Sequence, residues 1–293
     1  MTKDICCIGH LTQDKIITPR QEVDMTGGTA FYMAYGMSRL PRQVSFQLVT
    51  KVADGKMPEV ERMRQAGVDV LRYPSAHTVF FENKYGHNTN DRSQRVLAKA
   101  DPFTIDEMKP LEAKVFHLGS LLNDDFPPEV VRYLSTKGLI SIDVQGYLRE
   151  VVGQTVRPID WKDKEDILAC TSILKLNEKE MEVITQSGNP RTVALQLADM
   201  GVREVIITLG SYGSLIYADG RFYEMPAYEP TEIVDATGCG DTYSTGYLWM
   251  RMQGAGIEEA GKFAAAMCTL KLEHHGPFRG TATDIRKIVK AHR

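Results

Sequence analysis

The residues best suited to chemistry lie in the run D-A-T-G-C-G-D-T-Y-S-T-G, which starts at Asp235. Glycine lets backbone N–H groups approach an anion, and a helix N-terminus adds unpaired donors and a favourable dipole. Gly238, Cys239 and Gly240 therefore predict an anion pocket at the start of a helix. Asp241 would repel that anion, so it either caps the helix or takes part in the chemistry. The run alone leaves both roles open.

Competing nucleotide-binding and metal-binding motifs do not occur in this sequence. The Gly-Lys pairs at Gly55 and Gly261 lack a following Ser or Thr, which excludes a Walker A loop. A dinucleotide-binding fingerprint would need its third glycine where Tyr243 stands. His274 and His275 have no matching carboxylate or thiolate cluster near them in the sequence, so we expect a polar turn there rather than a metal site.

Composition and charge describe an ordinary globular protein. Of 293 residues, 43% are hydrophobic and 25% charged, and the formal net charge is −3. A chain with this balance has no overall attraction to nucleic acid or to an anionic membrane. We therefore expect its partners to be a small molecule or a second copy of itself.

Cysteine usage and the N-terminus both favour the cytoplasm. The five cysteines are odd in number and include no C-x-x-C pair, so neither a disulfide framework nor a structural zinc site is expected. The N-terminal apolar run is too short for a signal peptide, and no other run approaches the length of a membrane span.

Short apolar runs rich in β-branched residues alternate with amphipathic segments. The predicted strands are 4–8, 44–52, 68–72, 114–118, 139–144, 172–176 and 205–209, and the predicted helices are 28–40, 57–65, 129–136, 178–185, 192–200, 241–253 and 257–273. This alternation predicts an α/β fold with a mostly parallel sheet covered on both faces.

Two polar, hairpin-like segments, at about 12–26 and 78–97, interrupt the alternation. We predict that they form a small β-flap, or lid, that stands off the main sheet. Two ordinary surface loops are the alternative. Because the chain shows no long linker, repeat or low-complexity segment, we expect residues 1–293 to form a single domain.

The opening run resembles the C-terminal signature D-T-T-G-A-G-D of the ribokinase-like (pfkB) carbohydrate kinases. Other family motifs match in the same order: Asp14 in the first hairpin, the Gly27-Gly28 turn, K-V-A-D from Lys51, N-E-K-E from Asn177 and T-L-G-S-Y-G from Thr208. The resemblance covers nearly the whole chain and implies a ribokinase-like three-layer α/β/α sandwich with a lid.

The resemblance also implies a mechanism. Asp241 would be the general base, which takes the proton from a substrate hydroxyl as that oxygen attacks the γ-phosphate of ATP. The amides of Gly238, Cys239 and Gly240 would form the anion hole. Phosphoryl transfer needs mainly positioning and neutralisation of oxygen charge, and a carboxylate with an ordinary pKa of about 4 is ionised at neutral pH.

Mg²⁺ and ATP are the cofactors that the resemblance implies. Asn177 and Glu180 would act on Mg²⁺ and the phosphates through water, and Thr208, Gly210 and Gly213 would line the nucleotide. Each set also has a purely structural explanation. Glu180 lies in the first turn of a predicted helix, where acids are favoured, and the two glycines suit a turn between strands.

Two further positions, Asp235 and Thr237, match residues that often help to hold a monovalent cation in the family. The resemblance therefore adds K⁺ to the expected ligands. Lids of this kind often pair between subunits in the family, so a homodimer through the lid is a further expectation.

The acceptor is expected to be a sugar or a cyclitol. The resemblance assigns Asp14, Gly27 and Gly28 to its binding, but Tyr32 stands where the family often has an asparagine that touches the sugar. K-V-G-D-D is also altered to K-V-A-D-G, so ordinary ribose or fructose recognition is not expected.

A narrower similarity points to the acceptor's identity. F-F-E-N-K-Y and D-R-S-Q-R-V-L-A-K-A-D-P in the second lid segment are similar to the lid of plant-type myo-inositol kinases of this family. Gln145, Arg92 and Arg149 join Asp14 as candidate partners for its hydroxyls. Shared ancestry of lid and surface residues is the alternative.

Two other functions remain open at this level. One is a catalytically weak sugar or nucleotide sensor or scaffold of the same fold. The other is a nucleoside or vitamin-precursor kinase, which predicts aromatic stacking on the acceptor by Phe31 or Tyr32.

Overall fold

The computed structural model describes residues 1–85 and 92–292, with Tyr85 and Arg92 described by their backbone alone. The strands are β1 Lys3–Gly9, β2 Thr12–Ile17, β3 Glu22–Gly27, β4 Phe46–Val52, β5 Asp69–Pro74, β6 Val79–Tyr85, β7 Arg92–Ala98, β8 Ala113–Gly119, β9 Leu139–Asp143, β10 Arg149–Val152, β11 Thr155–Pro158, β12 Ile173–Asn177, β13 Glu204–Thr208, β14 Ser214–Ala218 and β15 Arg221–Met225.

The helices lie between these strands and at the C-terminal end. They are α1 Thr29–Ser38, α2 Met57–Gln65, α3 Ile105–Met108, α4 Pro128–Ser135, α5 Lys164–Leu168, α6 Glu178–Thr185, α7 Pro190–Asp199, α8 Cys239–Arg251, α9 Ile257–Leu272 and α10 Ala282–Ala291. None of the helices in the described part of the chain combines the length and apolar content that crossing a bilayer requires.

The main sheet has the strand order β15-β14-β13-β12-β9-β8-β1-β4-β5. The pairs from β13 to β5 are parallel, and β14 and β15 add an antiparallel edge. Runs such as Ile5–Ile8 are buried because helices cover both faces. The predicted three-layer α/β/α sandwich is thus confirmed.

One apolar core lies on each side of this sheet. The first includes Met33 of α1, Trp249 of α8 and Phe263 of α9. The second includes Phe116 of β8 and Leu197 of α7. Parallel strands enclosed in this way bring their carboxyl ends to one edge, where α/β proteins bind their ligands.

The predicted lid is a second sheet with the order β10-β11-β7-β6-β2-β3. Its first four strands in the chain come from the two segments that the sequence singles out, and Val79, Phe81 and Val96 form an apolar cluster on it with Leu121 and Leu122. The hairpin of β10 and β11 is an addition that the sequence analysis did not predict. Residues 86–91, within the second predicted segment, lie outside the described residues.

Candidate active site

The turn before α8 carries the predicted anion pocket. Gly238 has φ 77° and ψ 8°, the left-handed conformation that glycine adopts most readily. A Cβ at this position would overlap the ring of Tyr32. Because α8 begins at Cys239, the amides of Cys239, Gly240 and Asp241 lie in its first turn, where N–H groups lack intrahelical acceptors. The Cys239 amide also donates to Ala236 O at 3.2 Å.

Asp241 lies in that first turn, only partly exposed. Burial of its carboxyl group and the negative charge of Asp143 raise the pKa of Asp241 to about 6. A hydrogen bond from Thr29 and the charges of Lys175 and Arg149 act in the opposite direction. The result is a carboxylate that is ionised at neutral pH and a stronger base than an exposed aspartate.

A buried ion pair lies directly below the glycine turn. Lys175 Nζ donates to Asp143 Oδ2 at 2.6 Å, and both residues are buried. A Cβ on Gly240 would lie 2.9 Å from Lys175 Nζ, so the glycine leaves room for this ammonium group. Burial alone would lower the pKa of Lys175, but the carboxylates of Asp143 and Glu180 outweigh it and raise that pKa.

Sequence reasoning did not assign a role to Lys175 or Asp143. The available signal was their position. Each is a charged residue in an apolar strand: Asp143 ends L-I-S-I-D of β9, and Lys175 is the middle residue of I-L-K-L-N of β12. Those strands are neighbours in the sheet, with Lys175 in register with Asp143.

Asn177 and Glu180 form a capping box at the start of α6. Asn177 Oδ1 accepts from Lys179 N at 3.0 Å and Glu180 N at 3.1 Å, and Glu180 Oε2 accepts from Asn177 N at 2.8 Å. Burial and the charge of Asp143 raise the pKa of Glu180. The structural explanation of these residues is therefore observed, and their metal role stays a prediction.

The residues that could hold Mg²⁺ are few. No group of three or more His, Cys, Asp or Glu side chains suited to a metal ion occurs in the described ranges 1–85 and 92–292. Mg²⁺ commonly keeps several waters and uses one or two carboxylates together with substrate phosphates. In the described part of the chain, the carboxylate of Glu180 at the start of α6 fits that mode.

The predicted nucleotide residues follow β13. Thr208 Oγ1 donates to Leu176 O at 3.4 Å. Gly210 and Gly213 have φ values of 54° and 88° in the turn that leads to β14. A Cβ on Gly213 would overlap Met225 O. The turn thus requires these glycines whether or not a nucleotide binds, and their nucleotide role stays a prediction.

The predicted acceptor residues begin at the base of the lid. A Cβ on Gly27 would overlap the carboxylate of Asp14 and lie 2.9 Å from Thr12 Oγ1. Gly28, with φ 87°, precedes α1. Thr12 Oγ1 is buried and has no hydrogen-bond partner in the described part of the chain. This hydroxyl, which the sequence analysis did not single out, is available to a ligand beside Asp14.

The other acceptor candidates lie beyond β9. The main-chain N–H of Gln145 donates to Asp143 Oδ1 at 3.2 Å. Arg149 starts β10, and its charge lowers the pKa values of both Asp241 and Glu180, so it lies near these two carboxylates. The side chain of Arg92 is outside the described residues.

The aromatic residues near the site are already packed. Tyr32 is buried against the Gly238 turn. Phe31 is half-buried and meets Tyr32 and Tyr35 edge-on, with ring centroids 5.4 and 5.1 Å apart. Tyr32 therefore has little free ring surface on which a nucleobase could stack.

The predicted monovalent-cation residues form a tight turn before Gly238. Asp235 Oδ1 accepts from Thr237 N at 2.9 Å, and Asp235 Oδ2 accepts from Gly276 N at 3.2 Å. The ammonium group of Lys271 also contacts Asp235.

Comparison with known proteins places this site in a family. Cytidine kinase from Thermococcus kodakarensis is 30% identical over 266 residues, which cover 87% of this chain and 91% of the relative. A pyrophosphate-dependent kinase in the ribokinase family, solved with a pyrophosphate analogue and myo-inositol, superposes with a TM-score of 0.86 at 27% identity, over 97% of this chain and 99% of that one. Arabidopsis thaliana ribokinase, solved with ribose and ATP, shares the fold with a TM-score of 0.78 at 18% identity, over 99% of each chain.

The family model for pfkB carbohydrate kinases matches residues 3–283, which include the lid strands, the glycine turn and Asp241. Since the match spans both sheets and the helices between them, it describes the molecule and not a single motif. The chain belongs to the pfkB family of carbohydrate kinases and is a sugar or nucleoside kinase with the ribokinase-like fold.

Proposed function

We propose that this kinase transfers the γ-phosphoryl group of ATP to a hydroxyl of a cyclitol or sugar, with myo-inositol as the leading acceptor. The observation that carries the proposal is Asp241, a carboxylate with a pKa of about 6 in the first turn of α8, beside the Gly238–Gly240 turn. A protein that only bound sugar would have no need of a base at this position.

In the proposed reaction, Asp241 accepts the proton from the acceptor hydroxyl as its oxygen attacks phosphorus. The first-turn amides and the dipole of α8 stabilise the negative charge on the transferring group. Lys175 adds a fixed positive charge below Gly240. Mg²⁺, held by Glu180 and Asn177 through water, would supply further neutralisation of the phosphates. Thr208, Gly210 and Gly213 are the proposed nucleotide residues.

A polyol acceptor is supported by the polar groups at the base of the lid. The carboxylate of Asp14 and the unpartnered hydroxyl of Thr12 lie together next to Gly27. Gln145 follows β9 and its main-chain N–H contacts Asp143, and the charge of Arg149 acts on Asp241. Tyr32, in contrast, is covered by the glycine turn. A structure similar to this chain was solved with myo-inositol.

Pyrophosphate is a second candidate donor, because that same similar structure is of a pyrophosphate-dependent kinase. Cytidine is a second candidate acceptor, because the relative from Thermococcus kodakarensis is a cytidine kinase. The cytoplasmic location and the single domain over residues 1–293 stay predictions.

The test is a matrix of two donors against several acceptors. Purified protein with Mg²⁺ is supplied with ATP or pyrophosphate and with myo-inositol, ribose, fructose or cytidine, and the phosphorylated acceptor is identified by mass spectrometry. We expect phosphorylated myo-inositol with ATP. If product forms with pyrophosphate but not with ATP, pyrophosphate replaces ATP as the proposed donor. If cytidine is the one acceptor that is phosphorylated, cytidine replaces myo-inositol as the proposed acceptor.

The matched variants test the base. Asp241→Asn should lower turnover by about 10²–10⁴-fold, since it removes general-base catalysis. Asp106→Asn, which alters an exposed carboxylate in α3, should leave turnover unchanged.

If the unaltered protein binds donor but phosphorylates no acceptor, the sensor or scaffold function replaces the proposal.

A further inference from the structure

Lys271, in the last turn of α9, is among the largest fully buried side chains of the described residues. Its Nζ donates to Asp235 O at 2.6 Å and lies 3.3 Å from Asp235 Oδ2. The ring of Tyr32 lies 6.0 Å away, within range of a cation–π contact. A buried ammonium group is costly unless it is paired and hydrogen-bonded. The oxygens of Asp235 supply that pairing for Lys271.

The oxygens of Asp235 face hydrogen-bond donors. Oδ1 accepts from the Thr237 amide, Oδ2 accepts from the Gly276 amide and pairs with Lys271, and the main-chain oxygen accepts from Lys271. A resident metal cation would need these oxygens as ligands and would lie against a like charge. Asp235 and Thr237 therefore do not fit the K⁺ ion that the family resemblance implies.

We propose that the ammonium group of Lys271 takes the place of that monovalent cation, so that the enzyme works without K⁺. The inference goes beyond the proposed phosphoryl transfer, and its kinetic test rests on that proposal. The role is one of positioning, because Lys271 contacts Asp235 and not the reacting atoms.

The connection from Lys271 to the anion pocket is short. Val234 N and Asp235 N donate to Leu272 O at 2.8 and 3.1 Å, and Cys268 Sγ donates to Cys239 O at 3.2 Å. The C-terminal part of α9 thus holds the chain on both sides of Gly238. Loss of the Lys271 charge should loosen the turn and displace the amides that face the transferring phosphoryl group.

The first test uses the unaltered protein. Turnover and thermal unfolding are measured in K⁺, NH₄⁺, Na⁺ and tetramethylammonium chloride at equal ionic strength. We expect both to be the same in all four salts. Turnover that needs K⁺, or a thermal midpoint that K⁺ raises specifically, would overturn the inference.

The second test compares two lysines of α9. Lys271→Met should lower kcat by about tenfold or more through misplacement of the turn, with K⁺ or NH₄⁺ restoring part of the loss and raising the thermal midpoint. Lys262→Met, which removes a partly exposed lysine paired with Glu258, should behave as the unaltered protein. Full activity of Lys271→Met in tetramethylammonium would contradict the proposed role.

Two measures separate this inference from the proposed function. Should Lys271→Met fail to fold, the salt series on the unaltered protein decides the question alone. If no donor and acceptor pair gives turnover, the proposed function fails, while specific K⁺ stabilisation of the unaltered protein still decides whether a cation binds.

Discussion

At the scale of single residues, the site places Asp241, the proposed base, near the ammonium group of Lys175, whose charge lowers the pKa of Asp241. Lys175 lies close enough to lower the pKa of Asp241, yet burial and Asp143 prevail. Because Asp143 itself pairs with Lys175 at 2.6 Å, most of that positive charge is compensated. The arrangement keeps the Lys175 ammonium group next to Gly240 while leaving Asp241 basic.

This balance predicts the pH dependence of the reaction. Asp241 must be ionised to act as the base, and its pKa is raised to about 6. Log(kcat/KM) should therefore rise with pH below about 6 and become flat above it. An acid limb with its midpoint near 4, the ordinary value for aspartate, would show that the carboxylate is not desolvated in the working enzyme.

Thr29→Val provides the matched variant for the pH profile. The side chain of Thr29 donates a hydrogen bond that lowers the pKa of Asp241, and Val has nearly the same shape. We expect the acid limb of the variant to move to higher pH.

The anion-pocket motif from Gly238 to Asp241 could be predicted from the sequence because its residues are contiguous in the chain. The glycine turn and Asp241 lie within a few positions of one another. The partners of Lys175 and Lys271 are 32 and 36 residues away in the sequence. Only the register of the sheet and the end of α9 show that these two lysines lie near the turn.

At the scale of elements, the glycine turn and α1 are fitted to one another. Gly238 has a positive φ, and its missing side chain leaves room for the ring of Tyr32. The tyrosine that replaces the family's asparagine therefore packs against the turn. We infer that its ring supports the anion pocket, while its hydroxyl is buried without a hydrogen-bond partner in the described part of the chain.

Gly238→Ala tests this fit. Positive φ costs about 1–2 kcal/mol for a residue with a Cβ, and overpacking against Tyr32 adds about 1–3 kcal/mol. The free energy of unfolding, measured with urea, should thus fall by about 2–5 kcal/mol.

The control is Gly254→Ala, because Gly254 has φ 82° and a Cβ added there would meet no heavy atom within 4 Å. Only the strain of about 1–2 kcal/mol should appear there. Combining Gly238→Ala with Tyr32→Leu should recover part of the loss. Equal destabilisation by the two single alanine variants would contradict the proposed contact.

Element types were predictable wherever apolar periodicity was strong. The expected helices 57–65 and 178–185 coincide with α2 and α6. The missed strands β10 and β11 have four residues each. A strand of that length shows little alternation. β10 and β11 are defined by pairing with each other, and β11 is joined to the lid by pairing with the distant β7.

At the scale of the whole molecule, the lid and the sandwich share one site. The lid strands come from three separate stretches of the chain, and two acceptor candidates whose side chains are described lie on them, Asp14 in β2 and Arg149 in β10. Movement of the lid would therefore move these side chains relative to Asp241. Acceptor binding and lid closure should be coupled for this reason.

The lid also leads to a prediction about assembly. β3 is an edge strand in the lid's order, and Glu22, Val23 and Asp24 on it are exposed. Edge strands carry unpaired backbone groups that can pair with a second copy. We expect a homodimer through this edge, with a mass in light scattering twice the chain mass of 32.8 kDa.

Val23→Lys should convert that dimer into a monomer, because it places a charge on an apolar side chain that is 43% exposed on the proposed interface. Val152→Lys is the control, since Val152 is 44% exposed at the opposite edge of the lid, on β10. It should leave the dimer intact. If the unaltered protein is a monomer at assay concentration, the proposed interface does not exist. If Val152→Lys disrupts the dimer and Val23→Lys does not, the interface lies on β10 instead. There it would adjoin Arg149 and so affect acceptor binding directly.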